Sequence, residues 1–207
     1  YDYRERWERA SVFKERADFP IHIGFEFNAS CNLKCPMCTW SAESVVPGKD
    51  FWMDFDFFKK IIDEGIEHGL SAVGFDWVNE PLIRRDLPKF VAYARDAGVI
   101  DLIIHTNGTL LTKSMSERLI DAGLTRMMVS LDALTQETYD QIRVGSNMGK
   151  VVKNVHQFLE ARTQRGSRLP LLSVNFVLMS LNEHELKEFV EHWTEYVDFF
   201  SIQQYIN

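Results

Sequence analysis

The chain has 207 residues, of which 45% are hydrophobic and 26% are charged, and its formal net charge at pH 7 is −7. These values predict one large globular domain, and no apolar run approaches the roughly 20 residues that a membrane-spanning helix needs. The acidic balance argues against broad binding to a nucleic-acid backbone but not against a local basic pocket, and the charged N-terminus is unlike a signal peptide, so we expect a cytoplasmic protein.

Short apolar segments alternate with helical patterns along the chain. Residues 1–20, charged and interleaved with aromatic side chains, predict an amphipathic helical extension packed outside the main fold. Strands are predicted at 21–28, 71–77, 101–106, 126–132, 171–179 and 199–205. Helices are predicted at 54–68, 86–97, 113–122, 135–164 (in two pieces, broken at 144–149) and 183–195. Gly69, Gly98 and Gly123 fall just past predicted helix ends, where a left-handed residue is favoured.

The alternation of strands and helices over residues 21–207 indicates a single α/β domain. Short connections between β and α segments imply parallel strands with right-handed crossovers, and near-continuous apolar strands fit burial on both faces of the sheet. Six such units can form an open doubly wound sheet or an incomplete barrel. The pattern alone leaves both architectures open.

All three cysteines of the chain lie within eight residues, in the segment CNLKCPMC that follows the first predicted strand. Cys31, Cys35 and Cys38 are too few for a disulfide framework, so a metal or redox role is favoured. A structural zinc site usually takes four ligands, and ferredoxin-type clusters take four thiolates. Three thiolates on a cubane cluster would leave one iron open to a small molecule.

This segment resembles the signature of the radical S-adenosylmethionine (SAM) superfamily. The resemblance implies a [4Fe-4S] cluster held by the three cysteines, with SAM chelated to the fourth iron. One electron from the reduced cluster then cleaves SAM to a 5′-deoxyadenosyl radical, which takes a hydrogen atom from the substrate. The family's fold, an incomplete (β/α)6 barrel of the TIM type, selects between the two architectures. A reductant such as flavodoxin or ferredoxin is implied as a partner.

Two further cofactor contacts are implied near the cysteines and the second strand. The position before the last cysteine, here Met37, lies near the adenine of SAM in the family. Glu80 and Pro81 match a family Gly-Gly-Glu-Pro motif in which the Glu meets the SAM ammonium group, while Val78 and Asn79 replace its glycines. Without the family, Glu80 would be interpreted as a helix N-terminal charge.

The later strands carry the remaining candidates. Asn107, in Thr-Asn-Gly, is either a SAM-pocket residue or half of a common turn pair. Ser130 and Asp132 match the family's Ser-x-Asp and, two apart on a strand, are expected to share a face toward the barrel mouth; helix capping is the alternative. Asn175 is expected to contact the adenosine. Arg143 is a candidate for the SAM carboxylate, with solvated helix charge as the alternative.

The motif order most resembles the branch of the family with a C-terminal auxiliary-cluster (SPASM or Twitch) domain. Such a domain would lie beyond residue 207, because no cysteine follows Cys38. The resemblance implies oxidation, epimerisation or bond formation on a peptide, sugar or cyclitol, and it specifies no catalytic residue. Two alternatives stay open: a non-catalytic metal-binding or electron-transfer module, and an RNA-modifying member of the same family.

Overall fold

Six strands form one parallel sheet in the computed structural model, which describes residues 2–14, 16–38, 51–75 and 78–205. In spatial order these are β1 (His22–Gly24), β2 (Ala72–Gly74), β3 (Asp101–Thr106), β4 (Arg126–Ser130), β5 (Leu171–Leu178) and β6 (Phe199–Gln204). Each strand pairs with the next one along the chain. A doubly wound sheet reverses its order at a switch point, so the sequential order identifies the incomplete barrel.

Helices occupy the connections, and the predicted pattern of α/β units is confirmed. They are α1 (Asp2–Ser11), α2 (Phe55–Glu67), α3 (Leu87–Ala97), α4 (Lys113–Asp121), α5 (Gln136–Ile142), α6 (Met148–Gln164) and α7 (Leu186–Trp193), with 3-10 turns at Pro81–Ile83 and Glu183–Glu185. The predicted left-handed glycines are confirmed, with φ of +87° at Gly69, +108° at Gly98 and +88° at Gly123. Among the described residues, none of the helices is long and apolar enough to cross a membrane.

The strands alternate between a packed face and a hollow interior. On β4, Met127 and Val129 are fully buried in the main core, whereas Arg126, Met128 and Ser130 line the inside of the barrel. The same alternation runs through β3 and β5, as a period of two residues requires. The inside is a cavity of about 750 Å³, which we call the interior cavity.

The first two strands are shorter than predicted. Instead of 21–28 and 71–77, each ladder spans three residues, and residues 76–77 lie outside the described part of the chain. Beyond Gly24, the chain leaves the ladder, yet Phe25 and Phe27 remain buried among aromatic side chains of the core. The apolar pattern therefore predicted burial correctly and strand pairing incorrectly.

Helix α1 lies at the amino ends of the strands. Its Tyr3 hydroxyl donates to Asp101 at 3.3 Å and Arg4 pairs with the same carboxylate at 2.6 Å. The Trp7 ring lies 4.9 Å from the ring of His22. Arg4 and Trp7 also line the interior cavity, so α1 forms its floor.

Candidate active site

The three cysteines line one pocket at the carboxyl ends of the strands, which we call the cysteine pocket. Its volume is about 180 Å³, and its wall comes from the loops after β1, β2 and β3, the end of β4 and the residue after α5. Of the residues predicted from the sequence, it brings together Cys31, Cys35, Cys38, Met37, Glu80, Asn107 and Ser130. Asp132 and Asn175 lie outside this wall.

The cysteine loop is compact and partly buried. Cys35 is buried, Cys31 and Cys38 are half-buried, and each is a free thiol. The Cys38 amide donates to the Cys35 carbonyl at 3.1 Å, which turns the loop back on itself. The backbone amide of Lys34 donates to the Val144 carbonyl at 3.0 Å. Burial raises the pKa of the Cys31 and Cys35 thiols.

Thiols are soft donors that suit iron–sulfur clusters and zinc. Cys31, Cys35 and Cys38 are the only thiols in the chain, and all three face a single pocket. Within the described residues, His, Cys, Asp and Glu form no group of three or more that could hold one metal ion. Three soft thiol donors on one pocket wall therefore fit a cluster that takes one thiolate on each of three irons better than they fit a single metal ion.

Glu80 is a buried carboxylate on the pocket wall. One oxygen, Oε1, accepts from the Thr106 hydroxyl at 2.7 Å and from the Leu82 amide at 3.1 Å, and Oε2 accepts from the Asn107 amide at 2.8 Å. The bond to Leu82 caps the 3-10 turn, in agreement with the alternative interpretation of Glu80 as a charge at a helix N-terminus. Glu80 thus joins the loop after β2 to the end of β3 while it faces the cysteines.

A pair of asparagines fixes the cysteine loop against the Glu80 loop. Asn28 is fully buried; its Nδ2 donates to the Glu80 carbonyl at 3.0 Å, and its Oδ1 accepts from the Ser30 amide at 2.8 Å. Asn79 donates to the Asn28 carbonyl at 2.6 Å. Where the family has a glycine, Asn79 therefore supplies a brace. The role of Asn28 was not predicted, because its one signal in the sequence is a polar residue directly after the apolar run IHIGFEF.

Asn107 forms the turn that its Asn-Gly pair predicts. Its Oδ1 accepts from the Thr109 amide at 3.0 Å and from the Thr109 hydroxyl at 2.6 Å. Its Nδ2 donates to Asn32 at 2.9 Å. Because Asn32 follows Cys31 directly, this bond ties the turn after β3 to the cysteine loop.

Ser130 and Asp132 do not share a face, so the prediction drawn from their spacing of two residues is wrong. Strand β4 ends at Ser130, and Asp132 adopts φ of +62°, in the left-handed region that short polar residues tolerate. This turn removes the two-residue alternation on which the prediction depended. The Asp132 carboxylate instead accepts from the Val177 amide at 2.7 Å and pairs with Arg143. Neither residue caps the next helix, because the N-cap of α5 is Thr135.

Arg143 is a buried cation beneath the cysteine loop rather than a solvated helix charge. Its side chain is only 11% exposed, and its Nη1 lies 3.8 Å from the Cys35 sulfur. Burial raises the pKa of Cys35, and the positive charge of the nearby guanidinium lowers it and so partly offsets that rise. The burial of Arg143 was hard to predict, because an arginine at the end of a helix is usually solvated.

Asn175 faces the interior cavity, where it lies opposite Ser130 in the register of β4 and β5. Its Oδ1 accepts from the Ser173 hydroxyl at 3.2 Å. Two residues, His105 and Ser130, line both the interior cavity and the cysteine pocket. The two spaces therefore adjoin at the carboxyl ends of β3 and β4.

Met37 also lies between two spaces. It lines the cysteine pocket and a neighbouring cleft of about 230 Å³. The cleft is mostly apolar, and its other lining residues are Pro36, Gln141, Ile142, Met179, Leu181 and Tyr205. A flat apolar group could lie against Met37 there.

The chain is similar to named proteins and solved structures. A family model described as the radical SAM superfamily matches residues 25–192. The probable GTP 3′,8-cyclase of Methanococcus maripaludis strain C5 is 35% identical over 162 residues, which are 78% of this chain and 51% of that protein. The PqqA peptide cyclase of Bradyrhizobium diazoefficiens is 30% identical over 184 residues, 89% of this chain and 46% of that protein.

A solved structure shows the same fold. Streptococcus suis SuiB bound to S-adenosylmethionine superimposes with a TM-score of 0.74 at 20% identity, over 99% of this chain and 45% of that one. The chain thus spans about half the length of the relatives that it matches.

Proposed function

The chain belongs to the radical SAM superfamily, and from that premise we propose that Cys31, Cys35 and Cys38 hold its [4Fe-4S] cluster. The family uses this cluster together with SAM, and its members are enzymes. Three free thiols on one pocket wall support the assignment. When bound, the cluster supplies the electron that cleaves SAM to the 5′-deoxyadenosyl radical.

The methionyl end of SAM carries one ammonium and one carboxylate group, and the pocket offers a counter-charge for each. Glu80 is the anionic side chain on the wall and is assigned to the ammonium. Arg143 is the cation on the same wall and is assigned to the carboxylate. Asp132 acts through Arg143, since its carboxylate holds the guanidinium in place.

The adenosine end is assigned to the remaining predicted residues. Met37 and its apolar cleft suit the adenine ring. Ser130, at the junction of the two spaces, and Asn175, opposite it on β5, suit the ribose hydroxyls. Asn107 shapes the pocket through its turn and its bond to Asn32.

For the whole enzyme, we propose hydrogen abstraction from a small molecule or peptide, followed by bond formation, oxidation or epimerisation. The names of the relatives, a GTP cyclase and a peptide cyclase, favour bond formation. A reductant such as flavodoxin or ferredoxin supplies the electron, and a segment beyond residue 207 completes the substrate site. No feature of the described residues favours an RNA substrate.

The observation that carries this proposal is the shared pocket of the three thiols and Glu80. The test is anaerobic reconstitution with iron and sulfide, then dithionite and SAM, with 5′-deoxyadenosine as the readout. We expect about four irons per chain and cleavage of SAM in the wild type. Cys35→Ala should lose both, while Ser114→Ala, at an exposed position of α4, should lose neither.

Two results would contradict the proposal. One is an iron content that Cys35→Ala leaves unchanged. The other is tightly bound zinc in place of iron, which would favour a non-catalytic metal module.

A further inference from the structure

The floor of the interior cavity carries a net positive charge. Arg4 of α1 and Arg126 at the start of β4 both line the cavity, and both pair with Asp101, at 2.6 Å and 3.0 Å. Asp101 also accepts from the hydroxyls of Tyr3 and Thr125. Two guanidinium groups therefore share one carboxylate, and one positive charge stays uncompensated within this group.

The two arginines remain accessible to a ligand. The side chain of Arg4 is 44% exposed and that of Arg126 is 26% exposed. Among the described residues, the guanidinium of Arg126 makes one hydrogen bond, through Nε to Asp101, so its two terminal amino groups have no acceptor in that part of the chain. A planar guanidinium in this position can bind a carboxylate or phosphate through two parallel hydrogen bonds.

The charge of the cavity is opposite to that of the chain. Asp and Glu outnumber Lys and Arg by 30 to 23 in the sequence. Even so, no Asp or Glu among the described residues lines the interior cavity, whose polar members are arginines, histidines and uncharged side chains. Within the described residues, an anion in the cavity would thus meet the two arginines, and the one carboxylate beside them, Asp101, is already paired with both.

The cavity has room because small residues face inward. Small barrels are usually filled by their own side chains. Here Gly24, Gly74, Ser130 and Ser201 occupy inward positions. A Cβ at Gly74 would lie 3.2 Å from His22, so a larger residue would crowd this wall. The volume of about 750 Å³ falls within the range of small-molecule sites.

The cavity also leads to the cysteine pocket. Arg126 and Ser130 are four residues apart on β4, which corresponds to about 13 Å of strand. Ser130 lines both spaces. A molecule anchored at Arg126 and about 10 Å long would place its far end where the SAM site is proposed.

We propose that the interior cavity binds a small anionic substrate end-on, with its phosphate or carboxylate group on Arg126 and Arg4. This inference rests on the proposed function, because it takes the cysteine pocket as the place where the hydrogen atom is removed. It narrows the substrate class to a compact molecule with a terminal anion, as opposed to a neutral sugar. Arg4 and Arg126 act as binding residues at a distance from the chemistry.

The test uses the cluster-free chain and isothermal titration calorimetry with two probes, tripolyphosphate and citrate. We expect the wild type to bind at least one of them, and the stronger probe identifies the anion as phosphate or carboxylate. Arg126→Gln should weaken that binding by about tenfold or more, and Arg126→Lys, which keeps the charge but loses the paired hydrogen bonds, should weaken it less than Arg126→Gln does. Arg168→Gln removes the same charge at an exposed position outside the cavity and should change nothing.

A second variant tests the space independently of the charge. Ser201→Phe fills the cavity from β6 and retains both arginines, so it should abolish probe binding while thermal unfolding shows a folded protein. No binding of either probe to the wild type, or equal weakening by Arg126→Gln and Arg168→Gln, would overturn the inference. The SAM-cleavage assay fails or succeeds separately, since calorimetry on the cluster-free chain requires no iron.

Discussion

The barrel positions its functional groups differently on its two sides. On the side of β1 and β2, each strand has three residues, and the loops that carry the cysteines and Glu80 are fixed by side chains such as Asn28 and Asn79. On the side of β3–β6, strands have five to eight residues, with Ser130 at the end of β4 and Asn175 opposite it within β5. Side-chain hydrogen bonds therefore determine the first half of the site, and sheet register determines the second.

The largest expected loss of stability concerns the aromatic core beneath β1 and β2, which we call the irregular side because its strands are short. Phe27 follows β1 in a loop, yet it is 1% exposed and packs against Phe25, Phe58, Phe75 and Phe90. Phe27→Ala should lower the free energy of unfolding by about 3–5 kcal/mol, because it leaves a cavity among these rings. Urea denaturation of the cluster-free chain measures it.

The control for Phe27 is Phe13→Ala, at a side chain that is 96% exposed. This change should stay within about 0.5 kcal/mol of the wild type. If Phe27→Ala behaved the same way, the irregular side would not depend on its aromatic core, and the comparison of the two sides would fail.

Glu80→Ala should have the next largest effect. It leaves the Thr106 hydroxyl and the amides of Leu82 and Asn107 without their acceptor, at a cost of about 2–3 kcal/mol. Glu80→Gln keeps one carbonyl oxygen and should cost less in stability, but it removes the charge proposed to meet the SAM ammonium. Both variants should therefore bind SAM weakly in equilibrium dialysis. Normal SAM binding by Glu80→Gln would reject the charge assignment.

Two asparagine variants, one on each side of the barrel, test whether the two sides contribute differently to cluster binding. Asn28→Ala breaks the brace between the cysteine and Glu80 loops, and Asn182→Ala breaks similar bonds to the carbonyls of Asp132 and Val177. Each should cost about 1–2 kcal/mol in urea denaturation. Only Asn28→Ala should also reduce the iron retained after reconstitution. Equal iron loss in both variants would contradict the inference that side-chain hydrogen bonds such as those of Asn28 hold the cysteine loop in place.

The smallest change in stability is expected at Glu185, which lies between β5 and β6 on the side of β3–β6. Despite the opposing effect of burial, hydrogen bonds from Thr135, Thr138 and the Leu134 amide lower the pKa of Glu185. Its ionised form therefore stabilises the fold above the pKa of an unfolded Glu, and this contribution is lost as the pH falls through the folded value. Glu185→Gln should cost about 1 kcal/mol at pH 7 and less below pH of about 4. A cost that does not change between pH 7 and pH 3.5 would contradict this account.

The sequence predicted the repeating units and the cysteine pocket better than the contacts inside them. Helix ends were predictable because glycines and capping side chains act locally. The end of β1 was not, since Phe25 and Phe27 keep an apolar pattern after strand pairing stops. The position of Asp132 depended on one left-handed residue, and the burial of Arg143 depended on partners far away in sequence. Neither property leaves a periodic pattern.

The sequential strand order has a consequence for how the chain assembles. Because every strand pairs with its immediate successor, each βα unit can dock on the one before it as the ribosome releases it. Helix α1 is the exception: Arg4 is synthesised early, but its partner Asp101 comes 97 residues later. Helix α1 can therefore pack on β1 through Trp7 and His22 early, but its ion pair with Asp101 forms only once β3 has been made.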